Sequence, residues 1–88
     1  MTAAASAPVE AIVVTAPSCH LCEDALEVLR ECEPALHVRA VDIRSDEGRA
    51  LVERHRPALT PLVLVDGTPF SAGRLPRGKL RRLLGERG

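Results

Sequence analysis

Two short segments of the chain are apolar at almost every position. They are residues 11–15, AIVVT, and residues 62–65, LVLV. A run without a polar face favours a strand that is covered on both sides. We therefore predict that these two strands are the central strands of a sheet.

Two further strands are predicted to lie at the edges of the same sheet. In residues 36–41 the side chains of Leu36, Val38 and Ala40 alternate with those of His37, Arg39 and Val41, which is the period of a half-exposed strand. The pair Asp66-Gly67 indicates a tight hairpin because both positions favour a positive φ. Residues 68–72 would form the returning strand.

The first predicted helix follows Pro17, which breaks the first strand. Ser18 is its predicted N-cap, and Pro34 is predicted to end it. The residues at helical spacing on its inner face are Cys22, Ala25 or Leu26, Leu29 and Cys32. Glu23 and Asp24 fall in the first turn, where the helix dipole favours acidic side chains.

Two shorter helices complete the pattern. The second begins at Ser45 or Asp46 and stops before Pro57, is weakened by Gly48, and has Ala50, Leu51 and Arg54 as its predicted inner face. The third opens at Pro76, carries a stripe of Leu80, Leu83 and Leu84, and closes at Gly85. The predicted order is β-α-β-α-β-β-α, with strands one and three in the middle of a four-stranded sheet.

This order predicts one small domain over residues 10–85, with a loose leader over residues 1–9 and a tail over residues 86–88. The N-terminal segment has no positively charged start, and it contains Pro8 and Glu10. It therefore does not have the pattern of a secretion signal, and we expect a cytoplasmic protein. No segment is long enough to span a membrane.

Charge excludes some functions and leaves one question open. Twelve basic and twelve acidic side chains cancel, which gives no indication of nucleic-acid binding. However, residues 22–33 carry five acids and one Arg, whereas residues 74–88 carry six bases and one Glu. We interpret these segments as two solvated helix faces that attract each other, with a docking patch for an acidic partner as the alternative.

The chemistry centres on Cys19-His20-Leu21-Cys22. Cysteines at i and i+3 share one helix face, within the roughly 4.4–6.8 Å Cα separation of a disulfide. Cys19, near the helix N-terminus, faces unpaired N–H groups that favour its thiolate, so it is the predicted nucleophile and Cys22 the resolving thiol. His20 would add to this stabilisation if it is protonated.

Zinc is the main alternative for the same cysteines, because Cys-x-x-Cys is also a common half-site. The nearest further ligands are Cys32 and His37. Ten helical residues separate Cys22 from Cys32, about 15 Å of rise, which one metal cannot bridge. We therefore predict no metal site and interpret Cys32 as a small core residue.

The combined motifs resemble the thioredoxin-like fold and, within it, the small bacterial glutaredoxin-like proteins. The residues that carry the resemblance are Cys19-His20-Leu21-Cys22-Glu23, Val41-Asp42-Ile43, Thr60-Pro61-Leu62-Val63-Leu64-Val65-Asp66-Gly67 and Gly73-Arg74-Leu75. The resemblance implies a mixed sheet with the third strand antiparallel to the first. It also implies a cis Pro61 beside the Cys19 sulfur, and a Thr60 backbone that pairs with the substrate chain. Local sequence alone argues for a trans bond before Pro61.

The chain departs from typical glutaredoxins at the residues that hold glutathione. Thr15, Ala16, Pro17 and Ser18 are uncharged where a basic residue is usual, and Gly73 is followed by Arg74 instead of an acidic residue. Gly73 and Arg74 remain candidate substrate-binding residues.

We predict a dithiol–disulfide oxidoreductase of glutaredoxin-like type that acts on a disulfide-containing protein or a low-molecular-weight thiol, and we expect it to be a monomer. It would need no bound cofactor, only an external reductant such as glutathione or thioredoxin reductase. The alternative is a binding module, or a scaffold for a shared iron–sulfur cluster, without turnover.

Overall fold

A computed structural model describes residues 9–87, with side chains to residue 85. It contains seven elements: β1 (Val9–Thr15), α1 (His20–Arg30), β2 (Leu36–Asp42), α2 (Asp46–His55), β3 (Leu62–Val65), β4 (Thr68–Ala72) and α3 (Arg77–Arg87). This confirms the predicted β-α-β-α-β-β-α order. The predicted leader lies outside the described residues except for Val9, which begins β1.

The four strands form one mixed sheet in the order β2-β1-β3-β4. β1 runs parallel to β2 and antiparallel to β3, and β3 and β4 form the predicted hairpin. Asp66 and Gly67 at its turn have φ values of 50° and 83°. The two fully apolar strands are therefore central, as their pattern predicts.

The core lies on both faces of the sheet because side chains alternate along each central strand. On one face, β1 and β3 pack against α1 and the start of α3 through Val13, Ala25, Leu29, Val63, Leu75 and Leu80. On the other face, Val14, Leu62 and Leu64 are covered by Leu51 and Val52 of α2. No helix among residues 9–87 is long and apolar enough to cross a membrane.

The predicted inner face of α2 is wrong at two positions. Ala50 and Arg54 are exposed, whereas Leu51 and Val52 pack on the core. Gly48, which the sequence indicates only as a weak helix former, is buried, and a Cβ there would collide with the backbone oxygen of Asp42. A glycine is therefore what lets α2 approach the end of β2 closely.

In β2, the predicted alternation fails near its carboxyl end. Ala40 is exposed and Val41 is buried. Arg39 bonds Glu47 of α2 through two contacts of 2.8 and 2.7 Å. Because Arg39 and Val41 share a face of the strand, α2 covers Val41 from that side.

Two helix ends also differ from prediction. α1 ends at Arg30, four residues before Pro34, and a run of turns over residues 31–35 leads into β2. α3 continues to Arg87, so Gly85 does not close it. Cys32 therefore lies just beyond α1 instead of on its inner face.

Candidate functional site

The Cys-x-x-Cys pair lies where β1 gives way to α1. Cys19 has extended backbone angles, φ −107° and ψ 103°, and is the N-cap of α1. The Cys19 and Cys22 side chains are joined in a disulfide, with their Cα atoms 5.2 Å apart. One helical turn thus brings both sulfurs within bonding reach, as their spacing predicts.

The prediction that Ser18 caps the helix is wrong. Ser18 is exposed and has a φ of 54°, in the left-handed region. Because the chain turns at Ser18, Cys19 is the first residue whose side chain can accept a hydrogen bond from the free N–H groups of α1. Cys19 is therefore the N-cap, and its sulfur is the hydrogen-bond acceptor. The Cys-x-x-Cys motif alone does not predict this capping role.

Polar groups surround the Cys19 sulfur. The Cys22 backbone N–H donates to Cys19 Sγ at 3.1 Å, and the Thr60 hydroxyl lies 3.7 Å from the same sulfur. The Cys19 carbonyl accepts the N–H of Glu23 at 3.2 Å, which closes the first turn. Donors at a helix N-terminus favour negative charge, so these groups can stabilise a thiolate once the disulfide is reduced.

The two sulfurs differ in their access to solvent. Cys19 is half-buried, whereas Cys22 is only 2% exposed and packs within the core side of α1. An incoming molecule therefore reaches Cys19 first.

The Thr60-Pro61 loop lies beside Cys19 at the same end of the sheet, where β3 begins next to the end of β1, although the two residues are 41 positions apart in the chain. The Thr60–Pro61 peptide bond is cis, and Pro61 is fully buried. The Gly73 N–H donates to the Pro61 carbonyl at 2.9 Å, and Gly73 has a φ of 96°. Cys19, Thr60, Pro61 and Gly73 are thus brought together.

His20 and Arg74 extend away from the sulfurs. The side chain of His20 is 96% exposed, and its partner is Glu23 at 4.0 Å. Arg74 is exposed and lines a groove beside Leu21, the residue before Cys22. Among the described residues, neither side chain forms a hydrogen bond with Cys19 or Cys22.

Leu59 is a surface residue of this site that its sequence pattern did not reveal. It is 61% exposed, and among residues 9–85 no other large hydrophobic side chain is as open. An added Cβ at Gly73 would lie 3.0 Å from Leu59 Cδ1, so the leucine covers that glycine. Its position directly before Thr60 was the only available signal.

Cys32 has the opposite surroundings to Cys19. Its Sγ donates to the Val28 carbonyl at 3.5 Å, at the C-terminal end of α1. Burial and, to a smaller extent, the neighbouring Glu31 carboxylate raise the pKa of the Cys32 thiol above its ordinary value. Across the described part of the chain, no three His, Cys, Asp or Glu side chains are grouped so that they could hold a metal ion.

These features define the class of protein. A sheet of this order with a disulfide at the start of α1 is a thioredoxin-like fold. Chloroplastic thioredoxin z matches at 18% identity and a TM-score of 0.63, over 96% of this chain and 81% of that one. Fasciola hepatica thioredoxin matches at 17% identity and a TM-score of 0.59, over 98% and 86%. A malarial protein matches at 14% identity and a TM-score of 0.61, over 91% and 97%.

The family follows from the sequence of the same region. The sequence of residues 10–85 matches the family model of the glutaredoxin-like domain (DUF836). The chain belongs to this glutaredoxin-like family, and it carries the Cys19–Cys22 pair as a disulfide. No curated protein matches the chain.

Proposed function

We propose that this protein is a dithiol–disulfide oxidoreductase of glutaredoxin-like type. The observation that carries the proposal is the asymmetry of the disulfide: Cys19 is half-exposed and receives the Cys22 N–H at 3.1 Å, whereas Cys22 is buried behind it. A thiolate is the reactive form of cysteine, and such an environment favours it. Cys19 is therefore the attacking thiol, and Cys22 is the resolving one.

The reaction takes two exchange steps. In the first, the Cys19 thiolate attacks one sulfur of a substrate disulfide, the substrate S–S bond breaks, and the other substrate sulfur leaves as a thiolate that takes up a proton. In the second, Cys22 loses its proton and attacks Cys19 Sγ, so that the Cys19–Cys22 disulfide forms and the remaining substrate sulfur leaves as a thiol. The substrate gains two electrons and two protons, and the protein loses them.

The loop at Thr60 guides the substrate. Neither the N–H nor the C=O of Thr60 has a hydrogen-bond partner among the described residues, although its side chain lies beside Cys19. An extended substrate chain could pair with these two backbone groups, as in strand addition. Pro61 and Gly73 hold the loop in place through their backbone hydrogen bond.

Turnover needs an external reductant that returns the disulfide to two thiols. Two equivalents of a monothiol such as glutathione, or one dithiol protein such as thioredoxin reductase, supply the two electrons. We propose that the protein works as a monomer with no bound cofactor.

The direct test compares wild type, Cys19→Ser and Cys22→Ser in the reduction of a disulfide substrate. We expect Cys19→Ser to be inactive and Cys22→Ser to accumulate mixed disulfides, which mass spectrometry detects. Cys32→Ser is the matched control and should keep full activity. Full activity in Cys19→Ser would contradict the proposal, and a coloured, dimeric purified protein would support a shared iron–sulfur cluster instead.

A further inference from the structure

A groove runs along α1 from Leu21, the residue before Cys22. Its first part has a volume of about 560 Å³ and lies between α1 and the segment that leads into α3. Its lining includes the apolar side chains of Leu21, Ala25 and Val28. Val28 and Arg77 also line a second cavity of about 300 Å³, which continues the groove to Glu31 and Leu84. We refer to both parts together as the α1–α3 groove.

The charged side chains on the walls of this groove are not paired with each other. Arg74, Arg77 and Arg81 line the α3 side, and Asp24 and Glu31 line the α1 side. Among residues 9–85, the ion pairs all lie elsewhere, and none joins the two walls. The expected attraction between the two helix faces therefore does not take the form of direct ion pairs, and the guanidinium groups are free to meet a ligand.

Both parts of the groove are basic, because each has two arginines and one carboxylate, and a substrate held at Cys19 meets the part at the N-terminal end of α1 first. There, Arg74 and Arg77 oppose Asp24 alone, and Arg74 follows Gly73, whose surface is covered by Leu59. A bound chain that leaves Cys19 in this direction passes an exposed leucine and then two arginines. Apolar and acidic side chains complement that surface.

The length of the groove distinguishes a polypeptide from a small thiol. From Leu21 to Glu31 the helix rises about 15 Å at 1.5 Å per residue. An extended tripeptide spans at most about 11 Å. A polypeptide segment of five or more residues fills the groove, whereas a tripeptide thiol leaves its far end empty.

We propose that the substrate is a protein, recognised through a segment next to its reactive cysteine that places an apolar side chain on Leu59 and carboxylates on Arg74 and Arg77. This proposal rests on the proposed dithiol–disulfide exchange and names its substrate class. Because the arginines are exposed, they act mainly on the association rate, and the preference weakens as salt rises.

The test uses three synthetic nine-residue peptides, each with one cysteine in a mixed disulfide with 2-mercaptoethanol. The residues beside the cysteine are Glu in one peptide, Gln in the second and Lys in the third. Pre-reduced protein in excess, without added reductant, gives the single-turnover rate constant for each. Bis(2-hydroxyethyl) disulfide is the small neutral probe, and it also verifies that each variant is folded and reactive.

We expect the Glu peptide to react about tenfold faster than the Lys peptide at low salt, and the ratio to fall in about 0.5 M NaCl. The double variant Arg74→Glu/Arg77→Glu should invert the ratio, and Asp24→Lys should raise it. Arg54→Glu, on α2 across the sheet, should leave it unchanged. Leu59→Ser should slow all three peptides but not the small probe.

Equal rates for the three peptides would overturn the proposal, as would an Arg54→Glu effect as large as that of the double variant. Fast reduction of the small probe with slow reduction of every peptide would also overturn it and leave the proposed function standing. Failure to reduce any disulfide would overturn both.

Discussion

The two ends of α1 place the same side chain in opposite environments. At the N-terminus, the Cys19 sulfur accepts a backbone N–H and lies beside the Thr60 hydroxyl. At the other end, the Cys32 sulfur donates to the Val28 carbonyl and lies near Glu31. The helix dipole favours negative charge at the first position and disfavours it at the second. The comparison shows that two identical side chains differ in their surroundings according to which end of the helix they lie at, and the proposed assignment of Cys19 as the nucleophile rests on this difference.

The largest expected difference is in the rate of alkylation of the reduced protein at pH 7. We expect iodoacetamide to modify Cys19 about tenfold faster than Cys32, because a larger thiolate fraction outweighs the lower intrinsic nucleophilicity of a less basic sulfur. Peptide mapping by mass spectrometry assigns each site. Modification of Cys32 at the same rate or faster would remove the distinction between the two helix ends.

The hydroxyl of Thr60 is the second contributor at the Cys19 end. Thr60→Val keeps the shape of the side chain and removes a donor to the thiolate, so the pKa of Cys19 should rise and its alkylation at pH 7 should slow about threefold. Thr60→Ser should restore most of the rate. If Thr60→Val and Thr60→Ser give the same alkylation rate, the Thr60 hydroxyl does not stabilise the Cys19 thiolate.

Two glutamates offer a matched pair of smaller changes. Glu31→Gln removes a carboxylate that raises the pKa of Cys32, so Cys32 should be alkylated up to about twofold faster, with Cys19 unchanged. Glu23→Gln, in the first turn, should do the same for Cys19 and leave Cys32 unchanged. Separate alkylation rates for Cys19 and Cys32 in each of the two variants check both. If either variant changed the alkylation rates of both cysteines, the environments at the two ends of α1 would not be independent.

The smallest effect concerns acid stability and lies away from α1. The Arg44 side chain and backbone N–H lower the pKa of Asp42 from 3.8 to about 2. Because the folded-state pKa is lowered, the stability that this carboxylate contributes is fully present above about pH 3.8 and is lost as the pH falls toward 2. Asp42→Asn should therefore flatten the loss of stability in this range, measured by circular dichroism with urea, and leave Cys19 alkylation unchanged.

Asp24→Asn is the control for that measurement, because Asp24 forms no ion pair or hydrogen bond with the described residues. An acid profile for Asp42→Asn identical to that of wild type would show that the Asp42–Arg44 contact does not contribute to stability.

Local sequence signals predict the order of the elements and the central strands, whereas the antiparallel direction of β3 follows only from the resemblance to a known family. The apolar runs at residues 11–15 and 62–65 placed the central strands, and Asp66-Gly67 placed the hairpin, because each depends on neighbours in the chain. The role of Gly48 depends on the backbone of Asp42 and not on helix propensity, so local sequence does not predict it. The exposure of Ala50 and Arg54 has a related reason: the direction in which α2 approaches the sheet is a tertiary property.

The cysteine pair of the candidate site could be predicted from the sequence, but the way the chain positions it could not. Cys-x-x-Cys spacing identified Cys19 and Cys22, whereas the N-cap moved from Ser18 to Cys19 because the chain turns into a left-handed conformation at Ser18. Only the resemblance to a known family placed the Thr60-Pro61 loop beside Cys19, because no local pattern links residues 41 positions apart. The exposure of Leu59 likewise depends on how that loop packs on Gly73.

The most direct test of the central claim is a titration of Cys19 in the Cys22→Ser/Cys32→Ser variant, which retains the backbone N–H of residue 22. Thiolate absorbance near 240 nm, followed against pH, reports a single sulfur. We predict a pKa clearly below the roughly 8.5 of free cysteine. A pKa at or above that value would contradict the assignment of Cys19 as the nucleophile.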